Sequence, residues 1–170
     1  MAFKPGVLTS KDKVDQILKS IRSLTKTEVL VGVPDVNAGR DPEPGEEDQP
    51  LSNAEIGYLM ETGVPEKNIP ARPFLVPGVR EAVEPIGKQM EAGARKSLSG
   101  DTQAIDTTMN KVGLIAQNAV RMKITDGPFQ SLSERTLAKR KAKGRTGEKP
   151  LLDTGQLRAS ITYVIRPKGK

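Results

Sequence analysis

Cysteine, histidine and tryptophan are all missing from the 170 residues of this chain. Without Cys there are no disulfides, thiol nucleophiles or Cys-Cys zinc clusters, and without His there is no imidazole base and no Ser-His-Asp or Cys-His arrangement. Catalysis would have to run on carboxylates, Lys, Tyr or an oxygen-ligated metal, so the composition points to a binding or structural protein and not to an enzyme. Aromatic residues are also few: Phe3, Tyr58, Phe74, Phe129 and Tyr163. The core must then be aliphatic, and stacking platforms for unpaired bases are scarce. No stretch approaches the roughly 18 uncharged apolar residues of a membrane span, and the N-terminus lacks the apolar core of a signal peptide. The expectation is a protein with no membrane segment, made in the cytoplasm.

What is present suffices for a fold. Leu, Ile, Val and Phe make up 40 residues, about 24 per cent, above the roughly 20 per cent below which chains tend to stay disordered. A length of 170 residues fits one domain, spanning 1–170.

The element pattern reads as α+β: a small mixed or antiparallel sheet packed on several helices, including a long αα-hairpin. After Ser10, a candidate N-cap, Val14, Ile17, Leu18, Ile21 and Leu24 follow the spacing of one buried helix face. Glu28 to Val33 is β-branched and apolar, which predicts a central strand buried on both faces and stopped by Pro34. Residues 35–50 hold Pro42, Pro44 and Pro50 and a net charge of −5, the pattern of a flexible acidic arm.

Ser52 and Glu55 form an S-x-x-E capping box that opens a short helix ending at Gly63. Ile69 to Pro77 is expected to be extended or turning, because residues before Pro avoid the α region. The next helix carries Val79, Val83, Ile86, Met90, Ala94 and Leu98, with Pro85 either kinking it or marking a second start. Asp101 or Thr102 is expected to cap a further helix through Ile105, Met109, Val112, Ala116 and Val120, the second arm of the hairpin. A second capping box, Ser131 and Glu134, opens a polar helix to about Ala142, and a basic loop follows at 142–150. Ser160 to Arg166 alternates as a strand.

Two motifs suggest chemistry. Asp153-Thr154-Gly155 resembles the way aspartic proteases present a carboxylate, but that mechanism needs two carboxylates sharing a proton and only one copy is present. The bland reading makes Asp153 an N-cap with Gln156 reaching back. Between Arg121 and Lys149 the net charge is +6, equal to that of the whole chain. Arg135, Lys139, Arg140, Lys143 and Arg145 are the candidates for facing phosphates without reading sequence, as opposed to forming a solvated face or pairing with an acidic partner. The glycines match no phosphate loop, and no cofactor or metal site is expected. The acidic residues Asp41, Glu43, Glu46, Glu47 and Asp48 are candidates for a subunit or partner contact, since oppositely charged patches steer head-to-tail docking.

Three stretches in order carry a family resemblance. Asn53-Ala54-Glu55-Ile56-Gly57-Tyr58-Leu59-Met60-Glu61-Thr62-Gly63 is followed by Ile69-Pro70-Ala71-Arg72-Pro73-Phe74-Leu75, and then by Leu152-Asp153-Thr154-Gly155-Gln156-Leu157-Arg158-Ala159-Ser160-Ile161. The trio resembles the tail-completion proteins of tailed phages, the families of the lambda minor tail protein Z and of the Mu-type virion morphogenesis proteins. Members commonly place His before the motif Glu, where Met60 precedes Glu61 here, which favours a packing role for that position. The resemblance implies a non-enzymatic virion component at the head–tail joint, present in the host cytoplasm during assembly. It also implies a six-fold homo-oligomeric ring in contact with connector, stopper or tail-tube proteins. Glu61, Gly63, Arg72, Pro73, Phe74, Asp153, Gly155, Leu157 and Arg158 are the motif positions expected to be structural. The rival from another class is a stand-alone small basic nucleic-acid-binding protein, and an aspartic-type hydrolase resting on Asp153 is a third.

Overall fold

A computed structural model describes residues 10–42 and 50–169. The fold is α+β, with helices around a two-stranded antiparallel sheet. Helix α1 (Ser10–Lys26) runs directly into strand β1 (Thr27–Gly32). Strand β1 pairs with β2 (Thr162–Pro167), with Thr27 opposite Pro167, Leu30 opposite Val164 and Gly32 opposite Thr162.

The expected central strand is therefore corrected. Among the described residues β1 has a single neighbour and one open edge, and one of its faces carries the exposed Leu30. Alternation along a strand places Val29, Val31, Tyr163 and Ile165 on one side. On that side Tyr163 lies against Gly113 and its hydroxyl donates to Asn110 Oδ1 at 3.0 Å, both on the long helix. Leu30 and Val164 on the other side remain 37% and 40% exposed, and Ile165, on the same side as Tyr163, is 37% exposed toward the end of β2. The expected burial of the α1 stripe is corrected too: Val14, Ile17, Leu18 and Ile21 keep between 38% and 52% of their surface in solvent.

Helix α2 (Asn53–Thr62) opens on the predicted capping box. Ser52 Oγ accepts from the Glu55 N–H at 3.2 Å, and the Glu55 carboxylate accepts from the Ser52 N–H at 2.8 Å. Gly63 ends it at a φ of +75°, where a Cβ would meet the Ala71 backbone nitrogen at 2.7 Å. Extended backbone after Ala71 stops earlier than expected, because helix α3 (Leu75–Glu81) already includes Leu75, Val76 and Pro77. Pro77 is the third residue of its helix and Pro85 the third of α4 (Val83–Leu98). The first-turn N–H groups have no intrahelical partner, so proline there removes nothing. Pro85 thus marks a second start, with the chain broken at Ala82.

Helices α4 and α5 (Ala104–Asp126) form the αα-hairpin. The cap of α5 is Gln103, and Asp101 instead folds the preceding turn by accepting from the Gln103 N–H at 3.0 Å. At 23 residues α5 is the axis of the molecule: α3, α4, β1 and β2 all pack on it. The approach of α3 is close enough that a Cβ on Gly78 would lie 2.9 Å from Val120 Cα.

Helix α6 (Glu134–Ala142) is capped by Ser133, whose Oγ accepts from the Thr136 N–H at 3.3 Å, so the expected Ser131 box is displaced by two residues. The short α7 (Gln156–Ser160) follows Gly155 and leads into β2. Phe74, Val120, Ile124, Leu151, Leu157 and Ile161 form the buried aliphatic core, with one aromatic ring. Among the described residues no helix is long and apolar enough to cross a membrane.

Candidate functional site

The three motif stretches, far apart in the chain, meet at one place. Helix α2 presents Gly57 inward, and a Cβ there would sit 3.5 Å from Leu157 Cδ1 and 3.7 Å from Phe74 Cζ. One residue from each stretch therefore lines the same spot, where even an added Cβ on Gly57 would make ordinary van der Waals contact with both partners. Phe74 is 2% exposed. Met60 packs against the same core.

Glu61 locks α2 to the start of α3. Its Oε2 accepts from the N–H groups of Phe74 at 2.7 Å and Leu75 at 2.8 Å, and its Oε1 accepts from the Val76 N–H at 3.0 Å. These are among the donors that a helix N-terminus leaves without an internal partner, and a carboxylate satisfies them while complementing the helix dipole. Gly63 makes the turn that returns the chain, the Arg72 N–H closes it on Met60 O at 2.6 Å, and Pro73 precedes the buried ring.

The D-T-G run serves as a hub for cations. Asp153 Oδ2 accepts from Arg145 Nη1 at 2.6 Å, and Asp153 Oδ1 lies 3.4 Å from Arg140 Nε. This corrects the reading of Asp153 as an N-cap: the residue before α7 is Gly155, in the left-handed region at φ +81°, and the side chain that accepts from the Gln156 N–H is Thr154 Oγ1 at 3.4 Å. Gln156 does not reach back to it either, since its Oε1 accepts from the Asp41 N–H at 3.0 Å. A proton-sharing dyad needs a second carboxylate beside Asp153, and the neighbours on Asp153 are guanidiniums.

Arg140 is the clearest correction among the phosphate-facing candidates. Its side chain is 8% exposed, and its Nη1 donates to the carbonyls of Gly147, Lys149 and Leu152 at 2.8, 2.9 and 3.1 Å. Nη2 donates to Pro150 O at 3.2 Å. A guanidinium turned inward onto four carbonyls organises the 147–153 loop and is not available to an external phosphate. Arg145, ion-paired to Asp153, has a side chain only 22% exposed. Arg135, Lys139 and Lys143 are exposed, as is Lys141.

The remaining motif arginines are structural in their contacts. Arg72 is 7% exposed and its Nε donates to Gln130 O at 3.2 Å. Burial first, and then the nearby Arg140 charge, lower its pKa from the usual arginine value. Arg158 Nε donates to Thr125 Oγ1 at 3.0 Å. Sequence reasoning missed Arg121, whose guanidinium donates to Ile161 O at 2.7 Å from Nη2 and 3.1 Å from Nε, and to Ala159 O at 3.3 Å. It satisfies carbonyls at the end of α7, and no local spacing signals that role.

Of the acidic arm, Glu43, Glu46, Glu47 and Asp48 lie outside the described residues. Its stems are fastened. Arg40 Nε donates to Leu51 O at 3.1 Å, Asn53 Nδ2 to Gly39 O at 2.8 Å and the Asn53 N–H to Ala38 O at 2.8 Å. Residues 38–40 and 51–53 therefore lie side by side at the start of α2. Among the described residues no group of three or more Asp and Glu is placed to hold a metal ion.

No family model, curated protein or solved structure matches this chain.

Proposed function

We propose that this chain is a structural protein of a tailed-phage virion, a tail-completion or neck component at the head–tail interface that assembles as a ring with tail-tube or connector proteins. The observation that supports this reading is the meeting of the three motif stretches at Gly57, Phe74 and Leu157, with Glu61 stapling the second stretch to the first. Residues that recur together in order are explained when they build one unit, and here each of the three supplies a wall of the same small core. The hub offers fastening and no reactive group: its carboxylates hold backbone N–H groups and guanidiniums. Exposed Arg135, Lys139 and Lys143 on and after α6 supply the charge for sequence-independent phosphate contact in a channel.

The test is genetic and structural. A phage carrying this gene with an early stop codon should produce DNA-filled heads and tails that fail to join, or tails left incomplete, with plating restored when the chain is supplied in trans. Normal infectious particles that lack the chain would overturn the reading.

A further inference from the structure

A ring needs two different surfaces on each subunit that fit one another, and the structure carries a matched pair that the motif core does not use. The first is helix α1. Val14, Ile17, Leu18 and Ile21 recur at helical spacing along one face and are 52%, 38%, 43% and 46% exposed, although such a stripe is normally covered. The helix is basic, with five Lys or Arg against two Asp, and Lys19, Arg22 and Lys26 are in solvent.

The second surface is the start of α2 with the stems fastened to it. Val36 is 90% exposed, Leu51 51% and Tyr58 70%. Asp35, Asp41 and Glu55 are exposed in the same segments, and Arg40 is the one cation in the described residues between 35 and 62. An apolar stripe within a basic rim faces a counterpart of apolar groups within an acidic rim, the arrangement of an interface core and its polar edge.

Within one subunit both surfaces are left exposed. Helix α1 packs on α4, α5 and β1, whereas α2 packs on α7. We infer that α1 of one copy docks on the α2 surface of a second copy, a head-to-tail contact between unlike patches, which closes a ring or extends a filament. The inference rests on the ring reading above and names the surfaces that the ring would use.

Charge reversal tests it on the full chain in solution. Wild-type protein should gain mass with concentration in sedimentation equilibrium at low salt, and the association should weaken as salt rises. K19E/R22E alone and D35K/D41K alone should each weaken association by about tenfold or more. All four changes on one chain, or an equimolar mixture of the two variants, should restore it to within about threefold, because each reversed patch again meets its opposite. Tyr58→Ser should weaken association without lowering the melting temperature. Circular dichroism checks that each variant is folded, and restoration by the combined chain excludes misfolding as the cause of loss. A wild-type chain that stays at 18.4 kDa at about 1 mM and low salt overturns the inference, and so does loss without restoration. Failure here leaves the virion reading standing if the stop-codon phage cannot join heads to tails. Restoration here with normal particles lacking the chain would instead remove the virion reading and keep the self-association.

Discussion

Replacing Arg140 by Ala separates its two possible roles by stability alone. If the residue faced phosphate from the surface, its loss would leave the fold untouched, since exposed substitutions stay within about 0.5 kcal/mol. The structure instead gives it four carbonyl partners and an ion pair to Asp153. Nη1 has two hydrogens for three acceptors, so its contacts are shared, and the two at 2.8 and 2.9 Å are the ones to count fully. Hydrogen bonds to a charged group contribute about 1.5–3 kcal/mol each. Water can recover part of this, because Gly147 and Lys149 are themselves exposed. Removing one partner of a buried charged network costs about 3–5 kcal/mol, and Arg140→Ala should fall in the lower half of that range. For a chain of this size the melting temperature should drop by about 6–16 °C, at roughly 2–4 °C per kcal/mol. Arg140→Lys should recover only part, since an ammonium lacks the planar fork that spans several carbonyls. Differential scanning calorimetry on both variants, with Arg135→Ala as the exposed control, measures this. An Arg140→Ala protein that melts with wild type would refute the inward assignment.

The other predictions follow from the same contacts. Phe74→Ala should destabilise by about 3–5 kcal/mol in chemical unfolding, since its ring is 2% exposed and anchors the motif core; an unchanged midpoint would show that the ring contributes no packing. Asp153→Asn should cost about 1 kcal/mol through the lost charge pairing with Arg145 and Arg140, discounted because Asp153 is 38% exposed, where a capping role would predict no change. Glu55 has its pKa lowered by the Ser52 backbone and then the Ser52 hydroxyl. Its contribution is therefore present above the ordinary carboxylate range and lost as pH falls through the lowered value, so the melting temperatures of wild type and Glu55→Gln should converge with falling pH; a gap that stays constant from about pH 7 to about pH 3 would refute the linkage. With Arg140 turned inward and Arg145 paired, DNA binding should show a slope of log K against log salt of about −3 from Arg135, Lys139 and Lys143, where five contacts would give a slope between −4 and −5; a slope unaffected by changing those three to Ala would assign the segment to protein contacts.

The α2 capping box and the αα-hairpin were legible because their signals are local: a serine three residues before a glutamate, and apolar residues at helical spacing on both sides of a glycine turn. Burial was not legible. Glu28 to Val33 has the composition of a strand covered on both faces, yet whether a second neighbour pairs with it depends on residues elsewhere, and among the described residues only Thr162–Pro167 does. The α1 stripe misleads in the same way, since periodicity shows which residues share a face but not what covers it. The cap of α6 sits at Ser133 and not at Ser131, and the residues before it carry no helix while Arg72 holds the Gln130 carbonyl.

Charge counting is the step that sequence carries least far. The interval from Arg121 to Lys149 has a net charge of +6, which reads as one basic surface. In three dimensions Arg121 and Arg140 turn onto backbone carbonyls, Arg145 onto Asp153, Lys123 onto Glu81 and Lys149 onto Asp126. A guanidinium with five donors in a fixed fork satisfies several carbonyls of an irregular loop at once, so a loop without helix or strand draws arginines inward. The 147–153 loop is such a segment, and the motif Asp153 at its end completes the set. Arg140 and Arg145 of the basic segment and Asp153 of the D-T-G motif, which look like separate features in the sequence, thus form one construction that fastens α6 to the 147–153 loop. The basic side chains from α6 to Lys143 that stay exposed are Arg135, Lys139, Lys141 and Lys143, and contact with nucleic acid has to be argued from exposed groups such as these.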